Sequence, residues 1–377
     1  MIDIFFVGPQ IGNSADNFFQ TDSDLATQER RAAKRGNKAG DPIECTSKVL
    51  CLLLSEKAED SEYAYIGESG FVAKKINLLT GKTVKIFKGH TGPVTCIGLW
   101  YKDGEEFLIT GSWDKILIKW DTKTKESIHT FAAHTDFVKS LAVSHITSTL
   151  YSGSSDKSIR SWNLVTGEQL KTFNGHSRGI EDLAFDETET FLFSASSDGD
   201  IRKWNVKSGE CLQVFKGHLT NVYALKIFDE EMWTASADKT VKRWNLETGE
   251  PDTTFTHTDF VKCLVVIGPY VITGSRDEII RVFEIGSGKL INEFEGHFDE
   301  VACMAVRGIT LYTGSLDCTI RKWSLAAKDI QATDTTTKAK NKKSSQKSVP
   351  IKTEANSSLL TEEEERELAE LIGSDEE

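Results

Sequence analysis

The sequence predicts an all-β fold in which seven similar sheets are arranged around one axis, a seven-bladed β-propeller. Three observations predict it: an eleven-residue block that recurs along the chain, a spacing of 39 to 44 residues between the copies, and short alternating apolar runs between turn signals. Such a period is typical of units of four strands, and a single unit cannot bury both of its faces. The 377 residues suffice for seven units and terminal segments.

The recurring block has an aspartate in its fourth position and ends next to an aromatic residue. The six better copies are GSWDKILIKWD (111–121), GSSDKSIRSWN (153–163), ASSDGDIRKWN (195–205), ASADKTVKRWN (235–245), GSRDEIIRVFE (274–284) and GSLDCTIRKWS (314–324). A weaker copy is GESGFVAKKIN (67–77), and a histidine lies upstream of each better copy. These features resemble the WD40 repeat family, and the resemblance covers roughly residues 46–325.

Each histidine is followed by strand-like apolar runs, so that seven units of three strands can be recognised. Only six of them are followed by a clear fourth strand. We predict that Ile2–Val7 supplies the missing outer strand by pairing with Ile320–Leu325, with Asp329–Thr333 as the alternative. An unclosed ring would leave a strand edge exposed.

This interpretation divides the chain into four parts. They are an N-terminal segment (1–45) with the ring-closing strand 2–7 and then a polar loop, the propeller (46–325), a disordered linker rich in Lys, Ser and Thr (326–357), and an acidic C-terminal helix (358–377). The linker composition cannot bury enough apolar surface to offset the entropy of ordering. In the last part, Thr361 and Glu364 form a capping box.

Histidine, serine and aspartate recur together in six units, which raises the question of a hydrolase triad. Six identical active sites are implausible, and we predict no catalytic residue and no enzyme activity. The family resemblance instead implies hydrogen-bonded tetrads in which His bridges Asp and Ser, and Ser reaches the Trp indole. The predicted tetrads are His90/Ser112/Asp114/Trp120, His134/Ser154/Asp156/Trp162, His176/Ser196/Asp198/Trp204, His218/Ser236/Asp238/Trp244, His257/Ser275/Asp277 without the indole because of Phe283, and His297/Ser315/Asp317/Trp323.

The first unit has Gly70 and Ile76 in place of the turn aspartate and the Trp, so it lacks the tetrad. We therefore expect it to be the least firmly held blade.

Composition excludes several function classes. The net charge of −12 and pI of about 5.3 argue against direct nucleic-acid binding as a general property, since a basic stripe would be expected. No apolar run approaches the roughly 18 residues of a membrane span. The seven cysteines form no CxxC pair, and no phosphate-binding or metal-binding motif occurs. We expect no metal, no cofactor and no membrane association.

Partner binding is predicted on the upper surface around the channel. In the family's geometry two kinds of position face it: those flanking the valine that begins each inner strand, and the one before the turn aspartate. The large side chains there are Trp113, Phe137, Lys139, Tyr223, Phe260, Lys262, Arg276 and Leu316. Trp, Tyr and Arg are the residue types enriched at interface hot spots.

The string His-Thr-Asp-Phe-Val-Lys occurs twice, at 134–139 and 257–262, in the third and sixth units. These units lie nearly opposite each other across the channel. An aromatic and a basic residue on each side would suit an extended peptide with acidic or polar side chains. The alternative is that Phe137 and Phe260 only cover the inner strands.

The leading functional hypothesis is a non-catalytic scaffold or adaptor that assembles a multiprotein complex, itself a monomer within that complex, in the cytoplasm or nucleus. One alternative is a substrate receptor of a ubiquitin ligase, although Trp120-Asp121-Thr122-Lys123 lacks the arginine of cullin-linked receptors. Another is a subunit of a nuclear chromatin or RNA-processing complex, which the basic cluster at 338–343 would allow.

Overall fold

The computed structural model describes residues 29, 32, 36–55, 57, 60–228 and 230–331, and confirms the predicted seven-bladed propeller. Its strands are, in chain order, β1 (Ile43–Glu44), β2 (Val49–Leu54), β3 (Tyr63–Glu68), β4 (Val72–Asn77), β5 (Thr83–Lys88), β6 (Val94–Lys102), β7 (Glu105–Ser112), β8 (Ile116–Asp121), β9 (Ser127–Ala132), β10 (Val138–Ser144), β11 (Thr149–Ser154), β12 (Ser158–Asn163), β13 (Gln169–Asn174), β14 (Ile180–Phe185), β15 (Phe191–Ser196), β16 (Ile201–Asn205), β17 (Cys211–Phe215), β18 (Val222–Phe228), β19 (Glu231–Ser236), β20 (Thr240–Asn245), β21 (Pro251–Thr256), β22 (Val261–Ile267), β23 (Tyr270–Ser275), β24 (Ile279–Glu284), β25 (Leu290–Glu295), β26 (Val301–Arg307), β27 (Thr310–Ser315) and β28 (Thr319–Ser324). A short helix, α1 (Ala327–Gln331), follows β28.

Six blades are made of four consecutive antiparallel strands each. Blade 1 is β2–β5, blade 2 is β6–β9, blade 3 is β10–β13, blade 4 is β14–β17, blade 5 is β18–β21 and blade 6 is β22–β25. Blade 7 has the order β26-β27-β28-β1 from the inside outwards. The first strand of every blade contacts the first strand of the next blade, and β2 contacts β26, so the ring is closed.

The core consists of seven apolar clusters, one at each junction between neighbouring blades. At most junctions the Phe that ends an outer strand packs against the Trp of the next blade. Phe131 of blade 2, for example, meets Trp162 of blade 3 edge-to-face at 5.5 Å between ring centroids. Burial of such an aromatic side chain contributes on the order of 1.5–3 kcal/mol, so these repeated pairs explain why the blades stack.

The outer strand of blade 7 corrects the sequence-based prediction. It is β1, in which Ile43 pairs with Ile320 and Glu44 pairs with Thr319. Ile2–Val7, the predicted strand, lies outside the described residues, and the position it was expected to fill is occupied. Ile43 is buried in the cluster between blades 7 and 1, where it replaces the Phe of the other outer strands. A single buried apolar residue is too weak a pattern to be recognised as a strand.

The segment that leads into β1 is held by several contacts with blade 7. The Arg321 guanidinium donates to the Asn37 carbonyl at 3.0 Å and also to that of Ala39. The Lys322 amide donates to the Gly40 carbonyl at 2.6 Å. Gly40 has a positive φ, and a Cβ there would lie 2.9 Å from the Trp323 ring, so only glycine fits. These contacts compensate for the shortness of β1.

The alternative closing strand, Asp329–Thr333, is also wrong. Asp329 belongs to the helix α1, whose Ile330 is buried against the cluster between blades 6 and 7. The Asn292 amide of β25 donates to the Asp329 carbonyl at 3.1 Å. The helix thus covers the end of blade 6. The predicted disordered linker (326–357) is therefore wrong at its start, because residues 327–331 form α1 and Ile330 is buried. The part of that linker beyond residue 331 and the predicted acidic helix at 358–377 lie outside the described residues.

Candidate protein-binding surface

One surface of the propeller, here called the top face, is formed by the loops that lead into each inner strand and by the turns between the second and third strands of each blade. In the six better copies the loop contains the tetrad histidine, and the turn contains the aspartate of the recurring block. The residues predicted to bind a partner lie in or beside these loops and turns.

In five blades the loop and the turn are joined by a buried hydrogen-bond network. In blade 3, His134 Nδ1 lies 2.8 Å from Asp156 Oδ2, and its Nε2 lies 2.8 Å from Ser152 Oγ. Since a carboxylate only accepts, Nδ1–H donates to Asp156, and in the neutral ring Nε2 accepts the hydroxyl hydrogen. The Trp162 indole N–H donates to the same hydroxyl at 2.9 Å. Equivalent networks occur in blades 2, 4, 5 and 7.

The hydroxyl that each of the six histidines contacts is not that of the serine that the sequence analysis assigned. It comes from the residue two positions earlier, namely Thr110, Ser152, Ser194, Thr234, Thr273 and Thr313. The predicted members Ser112, Ser154, Ser196, Ser236, Ser275 and Ser315 instead accept a hydrogen bond from the backbone amide of the turn aspartate. Residues two apart in a strand share a face, so the alternation does not distinguish them. The hydroxyl of the earlier residue is within hydrogen-bond reach of the tryptophan indole. The hydroxyl of the later residue is already bonded to the backbone amide of the turn aspartate.

The hydrogen-bond acceptor of each tryptophan indole is likewise the residue two positions before the predicted serine. The Trp204 indole N–H of blade 4 donates to Ser194 Oγ at 2.8 Å, where the predicted acceptor was Ser196. The Trp244 indole N–H of blade 5 donates to Thr234 Oγ1 at 2.7 Å, where the predicted acceptor was Ser236. The other two acceptors are Thr110 for Trp120 and Thr313 for Trp323.

Trp204 and Trp244 are also part of the core and not of the exposed surface. Both rings are buried, and each packs edge-to-face on the Phe that ends the preceding blade, Phe173 for Trp204 and Phe215 for Trp244. Each tryptophan therefore ties its histidine network to the apolar junction between two blades. The histidines and tryptophans of the tetrads are buried beneath the top face, so they hold its loops in place and are not exposed to a partner.

The aspartates of these networks are stabilised as carboxylates. Burial alone would raise the pKa of Asp156, but the hydrogen bonds from His134 and Ser158 outweigh it and hold this pKa well below the ordinary range. The pKa values of Asp198 and Asp238 are lowered in the same way, against the effect of burial, by hydrogen bonds from His176 and His218. The folded structure therefore favours the charged form of these aspartates, which accepts the hydrogen bonds of the loop and the turn.

Blade 6 departs from the predicted tetrad. His257 bonds Thr273 Oγ1 through Nε2 at 2.8 Å, but its buried Nδ1 has no partner among the described residues. Asp277 is paired instead with Arg281, whose guanidinium lies 2.9 Å away, and accepts a hydrogen bond from Thr258. Burial and the Arg281 charge lower the pKa of His257 to about 4. In blade 6, Arg281 therefore pairs with the turn aspartate, a position that the histidine has in the other networks.

Blade 1, which was expected to be the least firmly held, has a different network in place of the tetrad. Glu68 occupies the position next to the turn and is fully buried, and both its oxygens lie 2.8 Å from the Lys74 ammonium. The Thr46 and Ser47 hydroxyls of the incoming loop also donate to Glu68. A buried ion pair thus joins the loop to the turn where the histidine is missing.

Two of the predicted binding residues form an exposed aromatic pair. Trp113, in the turn of blade 2, stacks on Phe137, at the start of the inner strand of blade 3, with 5.1 Å between ring centroids and 20° between ring planes. Their exposed fractions are 44% and 39%. At the next junction the same two positions hold Ser155 and Gly179, and a Cβ on Gly179 would lie 2.9 Å from Ser155 Cα. The aromatic pair therefore occupies a position where neighbouring blades approach closely.

Three other predicted residues lie at β-bulges. Lys139, Tyr223 and Lys262 each follow the valine that begins an inner strand, at a point where the register shifts and they have no partner in the ladder. A bulge redirects a side chain out of the sheet. Here it brings equivalent residues of neighbouring blades together: Lys139 pairs with Glu181 at 2.5 Å, and the Lys262 ammonium lies 3.6 Å from the Tyr223 ring centroid.

The remaining predicted residues are in blades 6 and 7. The Arg276 guanidinium lies 4.2 Å from the Phe260 ring centroid and 2.9 Å from Asp259. Lys262 pairs with Glu300 at 3.3 Å. Phe260 and Leu316 are half-buried. Phe260 is thus covered by an arginine that is itself neutralised, whereas Phe137 is open to solvent.

Sequence reasoning missed two exposed apolar residues of the top face. Leu219 is 91% exposed in the loop between blades 4 and 5, and Phe71 is 45% exposed in the turn of blade 1. Phe71 has a φ of 67°, a conformation that is strained for an aromatic residue. Phe71 occupies the same block position as Lys115 and Lys157, which also have positive φ in the structure. This shared turn position was the signal in the sequence that could have identified Phe71 as exposed.

A family model described as "WD domain, G-beta repeat" matches residues 81–121, 125–163, 167–205, 209–245 and 288–324, just over half of the chain. The chain belongs to the WD40 family. It is also 36% identical over 135 residues to the "Uncharacterized WD repeat-containing protein C126.01c" of Schizosaccharomyces pombe. That match covers 34% of this chain and 37% of the relative, so the chain spans well under two thirds of the relative's length.

WD40 propellers typically serve as protein-interaction scaffolds, bind proteins or peptides, and generally have no catalytic activity. Across the parts of the chain that the structure describes, no cluster of His, Cys, Asp and Glu is arranged to hold a metal ion. All seven cysteines are free thiols, and burial raises the pKa of Cys96 and Cys303 to about 12. No helix in the described ranges has the length and apolar character needed to cross a membrane.

Proposed function

We propose that this WD40 chain is a non-catalytic scaffold that binds a partner protein through its top face, with Trp113 and Phe137 as the principal contact. The observation that carries the proposal is the exposed stack of these two rings at the junction of blades 2 and 3. Exposed apolar side chains that form a contiguous patch are typical of protein-interaction sites. Rigid aromatic residues also contribute large contact area at low entropic cost.

The networks beneath the stack support this assignment. His90 and Asp114 fix the turn that carries Trp113, and His134 and Asp156 fix the loop that carries Phe137. Both rings are therefore presented by backbone that is held by buried hydrogen bonds. A preformed surface lowers the entropic cost of binding.

The experiment is affinity purification of the full chain from its own cells, followed by mass spectrometry. The double variant Trp113→Ala/Phe137→Ala is compared with wild type and with Leu170→Ala, which removes a side chain that is 50% exposed on the outer strand of blade 3. We expect the double variant to lose its main partners while Leu170→Ala retains them. An unchanged set of partners for the double variant would refute the assignment of the top face.

The cellular compartment is part of the same proposal. Seven free thiols are suited to a reducing compartment, which supports action in the cytoplasm or nucleus. Fluorescence imaging of the tagged full chain tests this, and a secreted or vesicular signal would contradict it. The purified partners would also distinguish assembly of a general complex from a ubiquitin ligase or a chromatin or RNA-processing complex.

A further inference from the structure

We infer that the segment bound by the top face is an acidic peptide with an apolar or aromatic anchor residue. The inference rests on the proposed function and names the chemistry of the partner. It is based on the distribution of charge around the Trp113–Phe137 stack.

The half of the top face that contains the stack carries cations that no described residue neutralises. Lys115 lies in the same turn as Trp113, Lys157 lies in the equivalent turn of blade 3, and Arg178 lies in the loop that enters blade 4. All three are exposed, and none forms an ion pair with a described residue. The loops that enter blades 2, 4 and 5 (88–93, 174–179 and 216–221) contain no acidic residue at all.

The acidic side chains of this half are largely engaged. Asp114, Asp156 and Asp198 are bound by their histidines and by backbone amides, and Glu181 is paired with Lys139. Asp136 accepts a hydrogen bond from the Phe137 amide at 2.8 Å. The exposed charged side chains around the stack are therefore cationic, in a chain whose net charge is −12.

The opposite half of the top face has a more even balance of charge. Its large cations, Arg276 and Lys262, are paired with Asp259 and Glu300, and Lys48 is the exposed cation of the loop entering blade 1. The loop entering blade 7 (295–300) contains three acidic residues, of which Glu300 is the partner of Lys262 and Asp299 accepts a hydrogen bond from the Glu300 amide at 2.9 Å. An acidic segment is thus attracted more strongly to blades 2–4 than to blades 6 and 7, which would place its apolar residue on the stack.

The test measures binding of short fluorescent peptides of about ten residues to the full chain by anisotropy. One peptide has a central Phe among Glu and Asp, a second replaces the Phe by Gly, and a third replaces every acidic residue by Gln. We expect the first peptide to bind at least about fivefold more tightly than either of the others. Its affinity should fall as ionic strength rises, because exposed charges are screened.

Two variants identify the site. Lys115→Glu/Lys157→Glu/Arg178→Glu should weaken binding of the acidic peptide by at least about fivefold. The matched control, Lys102→Glu/Lys123→Glu/Lys125→Glu, makes the same charge change at exposed positions on the opposite face of blade 2 and should have a much smaller effect. Trp113→Ala should weaken the Phe-containing peptide and leave the Gly-containing peptide unchanged.

The outcomes separate the inference from the proposed function. Equal binding of the acidic and Gln peptides, or equal effects of the two triple variants, would overturn the inference. If the cellular partners still depend on Trp113 and Phe137, the scaffold role stands and only the partner chemistry is wrong. If they do not, the proposed function fails as well.

Discussion

Blades 3 and 6 carry the same six residues, His-Thr-Asp-Phe-Val-Lys, yet the two copies have different roles. In blade 3, His134 belongs to a complete network with Asp156, and Phe137 is exposed against Trp113. In blade 6, His257 lacks its aspartate, and Phe260 is covered by Arg276. The backbone of both strings is alike, since each leads into an inner strand with the same bulge.

The difference comes from residues outside the string. At the position of Trp113, the blade that precedes blade 6 has Ala237, which offers Phe260 no ring to stack on. Ser155 of blade 3 corresponds to Arg276 of blade 6, and Trp162 corresponds to Phe283. A repeat motif therefore determines the local backbone, whereas neighbouring blades determine the chemistry of its side chains.

The largest expected contrast concerns the two histidines. His134→Phe leaves Asp156 and Ser152 buried without their partner and should lower the free energy of unfolding by about 3 kcal/mol. His257→Phe removes only the bond to Thr273 and should cost about 1 kcal/mol. Urea denaturation monitored by tryptophan fluorescence near neutral pH measures both. Equal losses would mean that the missing bond to Asp277 has no energetic consequence.

The second contrast between His257 and His134 concerns how the free energy of unfolding depends on pH. The ordinary pKa of His257 is 6.5 and burial lowers it to about 4, so between these values the unfolded chain binds a proton that the folded chain does not. Stability is therefore lost as pH falls through this range, by about 2 kcal/mol at about pH 5. The difference between wild type and His257→Phe isolates this loss. His134→Phe retains His257 and should retain the loss as well; a His257→Phe profile parallel to wild type would contradict the assignment.

A reciprocal exchange of Trp162 in blade 3 and Phe283 in blade 6 should have a smaller effect on the free energy of unfolding. Trp162→Phe removes the indole hydrogen bond to Ser152 and should cost about 1 kcal/mol. Phe283→Trp offers an indole to Thr273 and should restore a comparable amount in blade 6. Thermal unfolding of the two variants and their combination checks the exchange. Destabilisation by Phe283→Trp would show that blade 6 has no room for the larger ring.

The smallest expected effect on stability is at the exposed stack. Because Trp113 is 44% exposed, Trp113→Ala should change the free energy of unfolding by less than about 1 kcal/mol while reducing partner binding. Arg276→Ala uncovers Phe260 and serves as the matched change in blade 6. Urea denaturation and the peptide assay should be measured on the same samples. A large loss of stability in Trp113→Ala would assign the stack to the core instead.

The sequence was sufficient for the blade number and for most of the top-face residues, because the repeat gives each residue a known place in its blade. It placed Trp113 and Phe137 in the right loops without showing that they touch, since the contact joins two different blades. It also selected Ser154 over Ser152, because strand alternation puts both on one face. The network of blade 1 was harder still, because Glu68 stands where the other copies have a serine and pairs with Lys74, six residues further along the chain.

The closing strand has a consequence for synthesis. Ile43 and Ile320 are paired although nearly the whole propeller separates them along the chain. During translation the segment around Ile43 emerges early and has no strand to pair with until the last sheet is made. Until then the first blade and the most recently made blade each have an apolar face that no neighbouring blade covers. The ring can thus close only after β28 has been made, and a nascent chain stalled in blade 6 or earlier would remain an open array with exposed apolar faces at both ends.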